Sequence, residues 1–423
     1  MTQFIFDSYS FDHKSEEATF HYLFSDGRQF TETVQFNASQ EYNANVLDRA
    51  LFLAFVLIGT SYYKTFPTRE VVFTNHSIDV QQVEFFNSVY QEGMSQFAFE
   101  NGLTRDQLAQ FVSTSDQTEE PPAYEGRGIL ALESGGKDSL LVASLLKAAG
   151  KDFTPWYVTS SLEHPQVLDT FKEPLLVTKR TLDHTALAKA RDEGGKNGHV
   201  PVTYILQSLA LVQAILLGKD TILASIAHEG EEAHDWIGDL PVNHQWSKTW
   251  SAEQALVSYI DTYVATGFAI GSPLRQFSEL KVAELFVAHA WDEYGHSFSS
   301  CNVGNYQQGH GNSALKWCGE CPKCANSYLL FAPFLDAVEL QSLFNGQDLF
   351  IKPLLENTFK GLLGVDGIMK PFECVGEIDE LRLAYHRALA EGGYHPLPFE
   401  VPESSFDYTK TYPTQSWAAK MLQ

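Results

Sequence analysis

A glycine-rich hexapeptide between an apolar run and an amphipathic segment has the composition of a phosphate-binding loop. It reads Ser-Gly-Gly-Lys-Asp-Ser and follows the apolar run 129–132. At a strand–loop–helix junction, backbone N–H groups and the helix dipole attract an anion, and paired glycines let the backbone approach phosphate closely. The hydroxyls add donors, and Asp138 could hold Mg²⁺ against a pyrophosphate. The residues predicted to bind a nucleotide in this way are Ser134, Gly135, Gly136, Lys137, Asp138 and Ser139.

The hexapeptide differs from two common nucleotide motifs and resembles a third. It has neither the Gly-x4-Gly-Lys-Ser/Thr spacing of a Walker A loop nor the dinucleotide pattern Gly-x-Gly-x-x-Gly. It resembles the signature Ser-Gly-Gly-x-Asp-Ser of the PP-loop ATP pyrophosphatases. That resemblance implies a HUP-type Rossmann-like domain with ATP and Mg²⁺, which splits ATP between its α and β phosphates and adenylates a second substrate. A glycine-rich turn with ordinary capping is the alternative.

A cysteine cluster follows in the second half of the chain. Cys318, Cys321 and Cys324 have C-x2-C-x2-C spacing, and Cys301 lies upstream of them. Four thiolates so spaced suit a closed, tetrahedral structural zinc site, a zinc knuckle. Buried cysteines without metal, or an iron–sulfur cluster, are the alternatives. Cys374 is the one cysteine left outside this set.

Apolar periodicity predicts the elements that must position these groups. Residues 1–120 have a hairpin pattern at 18–36, a buried helix at 47–63, a strand at 69–75 and a helix at 80–99, and so predict an α+β domain. Residues 113–128, rich in proline, glycine and acids, predict a linker.

Strand and helix patterns alternate after the linker. Strands are predicted at 129–132, 153–158, 175–179 and 221–227, with helices at 139–149 and 203–217. This alternation predicts an α/β fold with a mostly parallel sheet over residues 128–335. Residues 336–423 predict a mostly helical extension, with an amphipathic helix at 377–393.

Composition limits the classes of partner. The chain has 423 residues and a formal net charge of −24, so it lacks the basic footprint of a nucleic-acid-binding protein. This charge also argues against a tRNA-thiolating enzyme with a similar loop. The longest apolar run, 50–59, is shorter than a membrane span needs, and no secretory signal is evident. An odd cysteine count with metal-type spacing predicts a cytoplasmic, reducing location.

Several polar segments together identify a narrower resemblance. The segment 272–286, Ser-Ser-Cys-Asn (299–302) and Trp-Cys-Gly-Glu-Cys-Pro-Lys-Cys (317–324) resemble the zinc-bearing 7-cyano-7-deazaguanine synthases, which lack the first 120 residues. With Ser-Tyr-Tyr-Lys (61–64) and the segments 197–203, 242–248 and 370–377, the chain resembles the UDP-N-acetylmuramoyl-L-alanyl-L-glutamate epimerases (MurL type). This resemblance covers most of the chain; segment 224–236 departs from it.

The epimerase resemblance implies an activity and a substrate. The terminal L-glutamate of UDP-MurNAc-L-Ala-L-Glu would be converted to D-glutamate through an adenylated α-carboxylate, with release of AMP and pyrophosphate. Adenylation removes the carboxylate charge and makes the α-proton more acidic. Besides Asp138 in the loop, the candidate catalytic residues are Cys374, His199, His244 and Lys248. Lys248 and Lys137 suit phosphate or carboxylate binding better than proton transfer. A 7-deazaguanine synthase-like ligase and a catalytically silent nucleotide-binding module remain alternatives.

Overall fold

The computed structural model describes residues 2–38, 41–161, 163–307 and 314–422. The strands in this part of the chain are β1 (Phe4–Asp12), β2 (Glu17–Phe24), β3 (Gln29–Gln35), β4 (Val71–Phe73), β5 (Ile129–Leu132), β6 (Phe153–Thr159), β7 (Leu176–Thr181), β8 (Thr221–Leu223), β9 (Asp235–Ile237), β10 (Leu240–Val242) and β11 (Ala269–Gly271). The α-helices are α1 (Ala44–Tyr63), α2 (Val80–Gln91), α3 (Ser95–Glu100), α4 (Lys137–Ala148), α5 (His184–Asp192), α6 (Val202–Leu217), α7 (Trp250–Tyr259), α8 (Glu279–His289), α9 (Trp291–Tyr294), α10 (Pro322–Phe331), α11 (Ala337–Ser342), α12 (Glu356–Leu362), α13 (Ile378–Glu391) and α14 (Ser416–Met421).

One mixed sheet runs through the described part of the chain, with strand order β11-β8-β5-β6-β7-β3-β2-β1-β4. The strands β11, β8, β5, β6 and β7 are mutually parallel. If these five strands are numbered 1 to 5 along the chain, their order across the sheet from β7 to β11 is 3-2-1-4-5. This is the order of a doubly wound nucleotide-binding sheet, in which the direction of winding switches between strands 1 and 4. Here the switch lies between β5 and β8.

The N-terminal strands continue this sheet. β3 pairs with β7 in antiparallel register, and the join carries a buried ion pair in which Arg180 Nε lies 2.6 Å from Glu32 Oε1. The hydroxyl of Tyr62 on α1 donates to the same carboxylate at 2.7 Å. The first two of the predicted units, 1–120 and 128–335, thus share one sheet. The division of the chain into these units and 336–423 stays a prediction.

Two apolar layers pack on opposite faces of the parallel part of the sheet, and the first of them also includes the N-terminal strands. One joins β1–β3, α1, α2 and α6, and the other joins α4, α8, α10 and the C-terminal helices. β5 contributes to both, since Leu130 packs into the first layer while Ile129 and Ala131 pack into the second. Such alternation is expected for a strand buried on both faces.

α1 is the one helix in the described ranges that is long and apolar enough to cross a membrane by length and composition. Its apolar window is 72% buried, and it packs against β1, β2 and α6. It is therefore a core helix of this fold.

The predicted alternation of strands and helices is confirmed, with two local corrections. The pattern over 80–99 predicted one helix, but α2 and α3 are separate and meet at Gly93. A Cβ on Gly93 would lie 2.4 Å from the carbonyl of Val89 and 3.0 Å from the ring of Trp246, so close packing interrupts the helix there. The strand predicted over 221–227 ends at Leu223, where the chain turns into the crevice described below.

Candidate active site

A crevice opens at the carboxyl ends of β5 and β8, where ligands bind in doubly wound sheets. Its cavity has a volume of about 290 Å³. The glycine loop (residues 134–139) forms one wall, and Lys248, Lys323 and Cys374 come from three distant parts of the chain. The remaining lining residues are Leu132, Glu133, Thr203, Leu206, Gln207, Ala224, Ser225, Ile226, Ser299, Ser300 and Asn302.

The glycine loop is held in shape by its own hydroxyls. The backbone N–H of Gly136 donates to Ser134 Oγ at 3.2 Å, and the N–H of Ser134 donates to Ser139 Oγ at 3.2 Å. Gly135 has φ +75°, and a Cβ there would lie 2.8 Å from Leu315. The loop leads into α4, whose first N–H groups have no carbonyl partner within the helix and can therefore bind an anion.

Lys137 does not point freely into the crevice. Its Nζ lies 2.6 Å from Asp138 Oδ1 and 2.6 Å from Glu279 Oε2, and the side chain is buried. Burial alone would lower the pKa of Lys137, but the two carboxylates outweigh it and raise the pKa. The ammonium group thus joins the glycine loop to the start of α8.

Glu133 is a buried carboxyl group at the end of β5 that the motif analysis did not single out. It lines the crevice immediately before the glycine loop and is 7% exposed. Neither carboxyl oxygen of Glu133 has a hydrogen-bond partner among the described residues, and burial raises the pKa of Glu133 well above its usual value. Burial thus favours the protonated form, which can donate a hydrogen bond to an anion.

Cys374 and His244 form a thiol–imidazole pair. Cys374 Sγ lies 3.7 Å from His244 Nε2, although 130 residues separate them in the chain. Burial would raise the pKa of Cys374, but Lys248, His244 and Lys323 together lower it to about 5. A thiolate is therefore available near neutral pH.

Lys248 supplies the strongest positive charge beside Cys374. Its Nζ lies 3.3 Å from both carboxylate oxygens of Glu229. Burial alone would lower the pKa of Lys248, but Cys374, Glu229 and Glu279 raise it overall. Lys248 therefore stays cationic and can bind a phosphate or a carboxylate in the crevice.

Two further histidines surround His244. The ring centroid of His199 lies 4.5 Å from that of His244, and that of His234 lies 6.5 Å away. Burial and neighbouring positive or histidine groups lower the pKa of His199 and of His234 to about 3 each. Both rings are thus neutral near pH 7 and able to accept a proton only weakly.

The cysteine cluster lies between the glycine loop and the segment that carries Cys374, and residues next to its cysteines contact both. Ser300, next to Cys301, packs on Gly136 of the glycine loop, where a Cβ would meet its Oγ at 3.2 Å. Lys323, next to Cys324, donates from Nζ to the carbonyl oxygen of Cys374 at 2.6 Å. The cluster thus fixes both the glycine loop and the Cys374 segment.

The four clustered sulfurs could hold one metal ion. Their ligand atoms all lie within 4.8 Å of one another, and three of the Sγ–Sγ distances are 3.6–3.7 Å. A tetrahedron with Zn–S bonds of 2.3 Å has edges of about 3.8 Å. Backbone N–H groups donate to three of the sulfurs, from Gly304 to Cys301, from Gly319 to Cys324 and from Glu320 to Cys318. The donor set and its spacing fit a structural zinc ion.

All the predicted site residues lie in or beside the crevice. The glycine loop, Lys248 and Cys374 line it, and His244 and His199 lie behind Cys374. The roles of these residues stay predictions. Sequence reasoning missed several of their neighbours. Glu229 and Glu279 lie beside the two lysines, His234 lies beside His244, and Gln96 Oε1 lies 2.7 Å from His244 Nδ1. Sequence reasoning also missed Glu133 in the crevice wall. Glu229 and His234 fall in the segment 224–236 noted for its departure from the family pattern.

Comparison with known proteins places the chain in a family. The MurL N-terminal domain family matches residues 1–271, and the MurL C-terminal domain family matches residues 297–396. The UDP-N-acetyl-alpha-D-muramoyl-L-alanyl-L-glutamate epimerase of Xanthomonas oryzae pv. oryzae is 33% identical over 390 residues, covering 91% of this chain and 85% of that protein. The proteins of the same name from Salinispora tropica and a Micromonospora species are 32% and 31% identical. They cover 97% of this chain and 91% and 93% of their own lengths. The chain therefore belongs to the MurL family, whose named relatives are epimerases of UDP-N-acetylmuramoyl-L-alanyl-L-glutamate.

Proposed function

We propose that this protein inverts the α-carbon of the terminal L-glutamate in UDP-MurNAc-L-Ala-L-Glu, using ATP, and releases AMP and pyrophosphate. The observation that carries the proposal is the position of Cys374. Its thiol shares one cavity with the glycine loop, so a substrate activated at the loop would be next to a proton acceptor. The names of the relatives supply the substrate class.

The first step is adenylation. An oxygen of the glutamyl α-carboxylate attacks the α-phosphorus of ATP, and the bond to pyrophosphate breaks. The N–H groups at the start of α4, with Ser134 and Ser139, would bind the phosphates, and Mg²⁺ at Asp138 would neutralise part of their charge. The strand order around β5 and the glycine loop support a PP-loop domain of the HUP type.

Adenylation makes the next step possible. Removing a proton beside a free carboxylate would place two negative charges on one small group, whereas a mixed anhydride has already lost the carboxylate charge. The Cys374 thiolate takes the Cα proton, and a planar carbanion forms. The opposite face then receives a proton, either from the Cys374 thiol after the planar carbanion turns or from a second acid such as His244. Water then cleaves the anhydride to give D-glutamate and AMP. A well-placed acid or base contributes about 10²–10⁴-fold.

Lys248 binds a negative group during these steps. It stays cationic, lines the cavity and, among the described residues, forms an ion pair with Glu229 alone. The adenylate phosphate and the developing carbanion are the negative groups that the reaction would bring near it.

The four free cysteines with metal-type spacing favour a bound zinc ion, and they favour a cytoplasmic, reducing location.

The test is product analysis with purified, zinc-loaded protein. Given UDP-MurNAc-L-Ala-L-Glu, ATP and Mg²⁺, it should form the D-glutamate epimer together with AMP and pyrophosphate. Free L-glutamate should react poorly, because the nucleotide and sugar supply binding energy that aligns the carboxylate. Consumption of ammonia with ATP would point to the ligase alternative, and ATP binding without pyrophosphate release to a silent module. Either result would overturn the proposal.

A further inference from the structure

Behind His244 lies a chain of hydrogen bonds that reaches the surface through α3. His244 Nδ1 lies 2.7 Å from Oε1 of Gln96, and Gln96 Nε2 donates to Glu100 Oε1 at 2.8 Å. Gln96 and Glu100 are four residues apart on α3, so their side chains share one helix face. Gln96 is 6% exposed, whereas Glu100 is exposed.

The chemistry of these groups fixes the direction of each hydrogen bond. An ionised carboxylate such as Glu100 can only accept, so the NH₂ of Gln96 faces it and the amide oxygen of Gln96 faces His244. An amide oxygen can only accept as well, so His244 Nδ1 carries the proton. In the neutral ring Nε2 is then the acceptor, and this is the nitrogen that faces Cys374 Sγ at 3.7 Å.

We propose that Gln96 is a positioning residue, which with Glu100 fixes the orientation and tautomer of His244 so that Nε2 accepts the thiol proton of Cys374. The proton leaves Sγ for Nε2, and the resulting thiolate–imidazolium pair is stabilised by the amide oxygen beyond it. The proposal deepens the proposed function, since that function assigns the thiolate its role in proton exchange. Its chemistry at Cys374 can be measured without any substrate.

Other charged and titratable groups also face this pair. Lys248, from the turn before α7, and Lys323 on α10 favour the thiolate, as the causes of the lowered Cys374 pKa show. His199 before α6 and His234 before β9 face His244, and Lys64 at the end of α1 faces His199. Lys248 is in turn balanced by Glu229. Gln96 differs from all of these because its amide does not titrate, so its removal changes the orientation of His244 and not the net charge.

The experiment measures how fast Cys374 reacts with iodoacetamide between pH 4 and 9. Zinc-loaded full-length protein is alkylated, and Cys374 is followed by peptide mass spectrometry, with Cys374→Ser giving the background. Wild type should show a midpoint well below the ordinary thiol value of about 8.5. Gln96→Met, which removes the acceptor at similar volume, should raise the midpoint by about one unit or more, a tenfold change in the ionisation equilibrium. Gln96→Glu keeps an acceptor at the same place and should preserve the low midpoint.

Two further variants keep the test decisive. Gln91 on α2 donates a hydrogen bond to the carbonyl of Ala109 and accepts one from Arg105 Nε, with no hydrogen bond to His244 among these contacts. Gln91→Met should therefore leave the midpoint of Cys374 alkylation unchanged. If Gln96→Met fails to fold, Gln96→Asn withdraws the amide oxygen by one methylene and should raise the midpoint too. A wild-type midpoint near 8.5, or unchanged midpoints in both Gln96→Met and Gln96→Asn, would overturn the proposal. Failure of wild type to form AMP would instead refute the proposed function.

Discussion

Replacing Arg275 by methionine should destabilise the protein strongly, because this buried arginine neutralises one carboxylate and supports the crevice wall. Arg275 is fully buried and donates from Nε and Nη2 to Glu253 Oε2 at 3.0 and 2.9 Å. Its Nη1 donates to the carbonyl oxygens of Ala227 at 2.9 Å and Lys248 at 2.6 Å. Methionine keeps much of the side-chain volume but removes all these donors.

The expected loss of stability follows from the groups that Arg275→Met leaves without a partner, the Glu253 carboxylate and two backbone carbonyls. Removing one partner of a buried ion pair costs about 3–5 kcal/mol, since the remaining charge has no counterion. Each carbonyl that loses its donor adds about 1 kcal/mol. We expect Arg275→Met to lower the free energy of unfolding by about 4 kcal/mol or more. The double variant Arg275→Met/Glu253→Gln has no orphaned charge and should recover about 2 kcal/mol of that loss.

Urea unfolding at constant zinc and pH measures both effects. The matched control is Arg28→Met, which breaks contacts to Asp26 and Glu193 at a partly exposed position and should cost about 1 kcal/mol or less. If Arg275→Met costs no more than Arg28→Met, the buried pair does not support the fold as argued. The same conclusion follows if the double variant is less stable than Arg275→Met alone.

Three other predictions concern the loop, the metal and pH. Asp138→Ala and Gly136→Val should abolish AMP formation with unchanged circular dichroism, because the first removes the proposed Mg²⁺ ligand and the second places side-chain atoms against Ser300. Full activity in either variant would refute the proposed role of the glycine loop. Elemental analysis of wild type should find about one zinc ion per chain. Cys321→Ser should lower both the zinc content and the melting temperature, because metal binding is coupled to folding. A metal-free protein with unchanged stability would contradict this. Burial raises the pKa of Glu380 to about 8, despite a hydrogen bond from the N–H of Leu280, so this residue keeps its proton in the folded state while the unfolded chain ionises. The free energy of unfolding should therefore fall as the pH rises from 4.5 to 8. Glu380→Gln should be more stable than wild type by about 1 kcal/mol or more at pH 8 but not at pH 4.5. The same pH dependence of urea unfolding in wild type and Glu380→Gln would contradict this.

Elements with strong local patterns were predictable from the sequence. β5 (Ile129–Leu132) is found at the predicted residues, and α6 starts one residue before the predicted 203. The short hairpin β9–β10 was not predicted. Each of its strands has three residues, and Leu240 owes its burial to contact with Ala98 and Leu108 rather than to a repeat in the sequence.

The site was predictable in its motifs but not in its pairs. The glycine loop is six consecutive residues, and Cys318, Cys321 and Cys324 fall within seven, so both stand out as local motifs. Cys374 and His244 meet only because α10 holds the Cys374 segment and α3 holds His244. Nothing local in Met-Ser-Gln-Phe (94–97) marks Gln96 as a partner of that histidine. Such pairing depends on tertiary packing.

The proposed mechanism requires that the glycine loop and Cys374 act in sequence on the same substrate. The direct measurement compares wild type with Cys374→Ala in D₂O, using UDP-MurNAc-L-Ala-L-Glu, ATP and Mg²⁺. Wild type should place one deuterium at the glutamyl Cα of the D-product. In Cys374→Ala, AMP formation should persist while deuterium incorporation falls by about 10²-fold or more. If the variant keeps wild-type exchange, Cys374 does not move the proton, and if it loses both reactions together, the two steps are not separable as claimed.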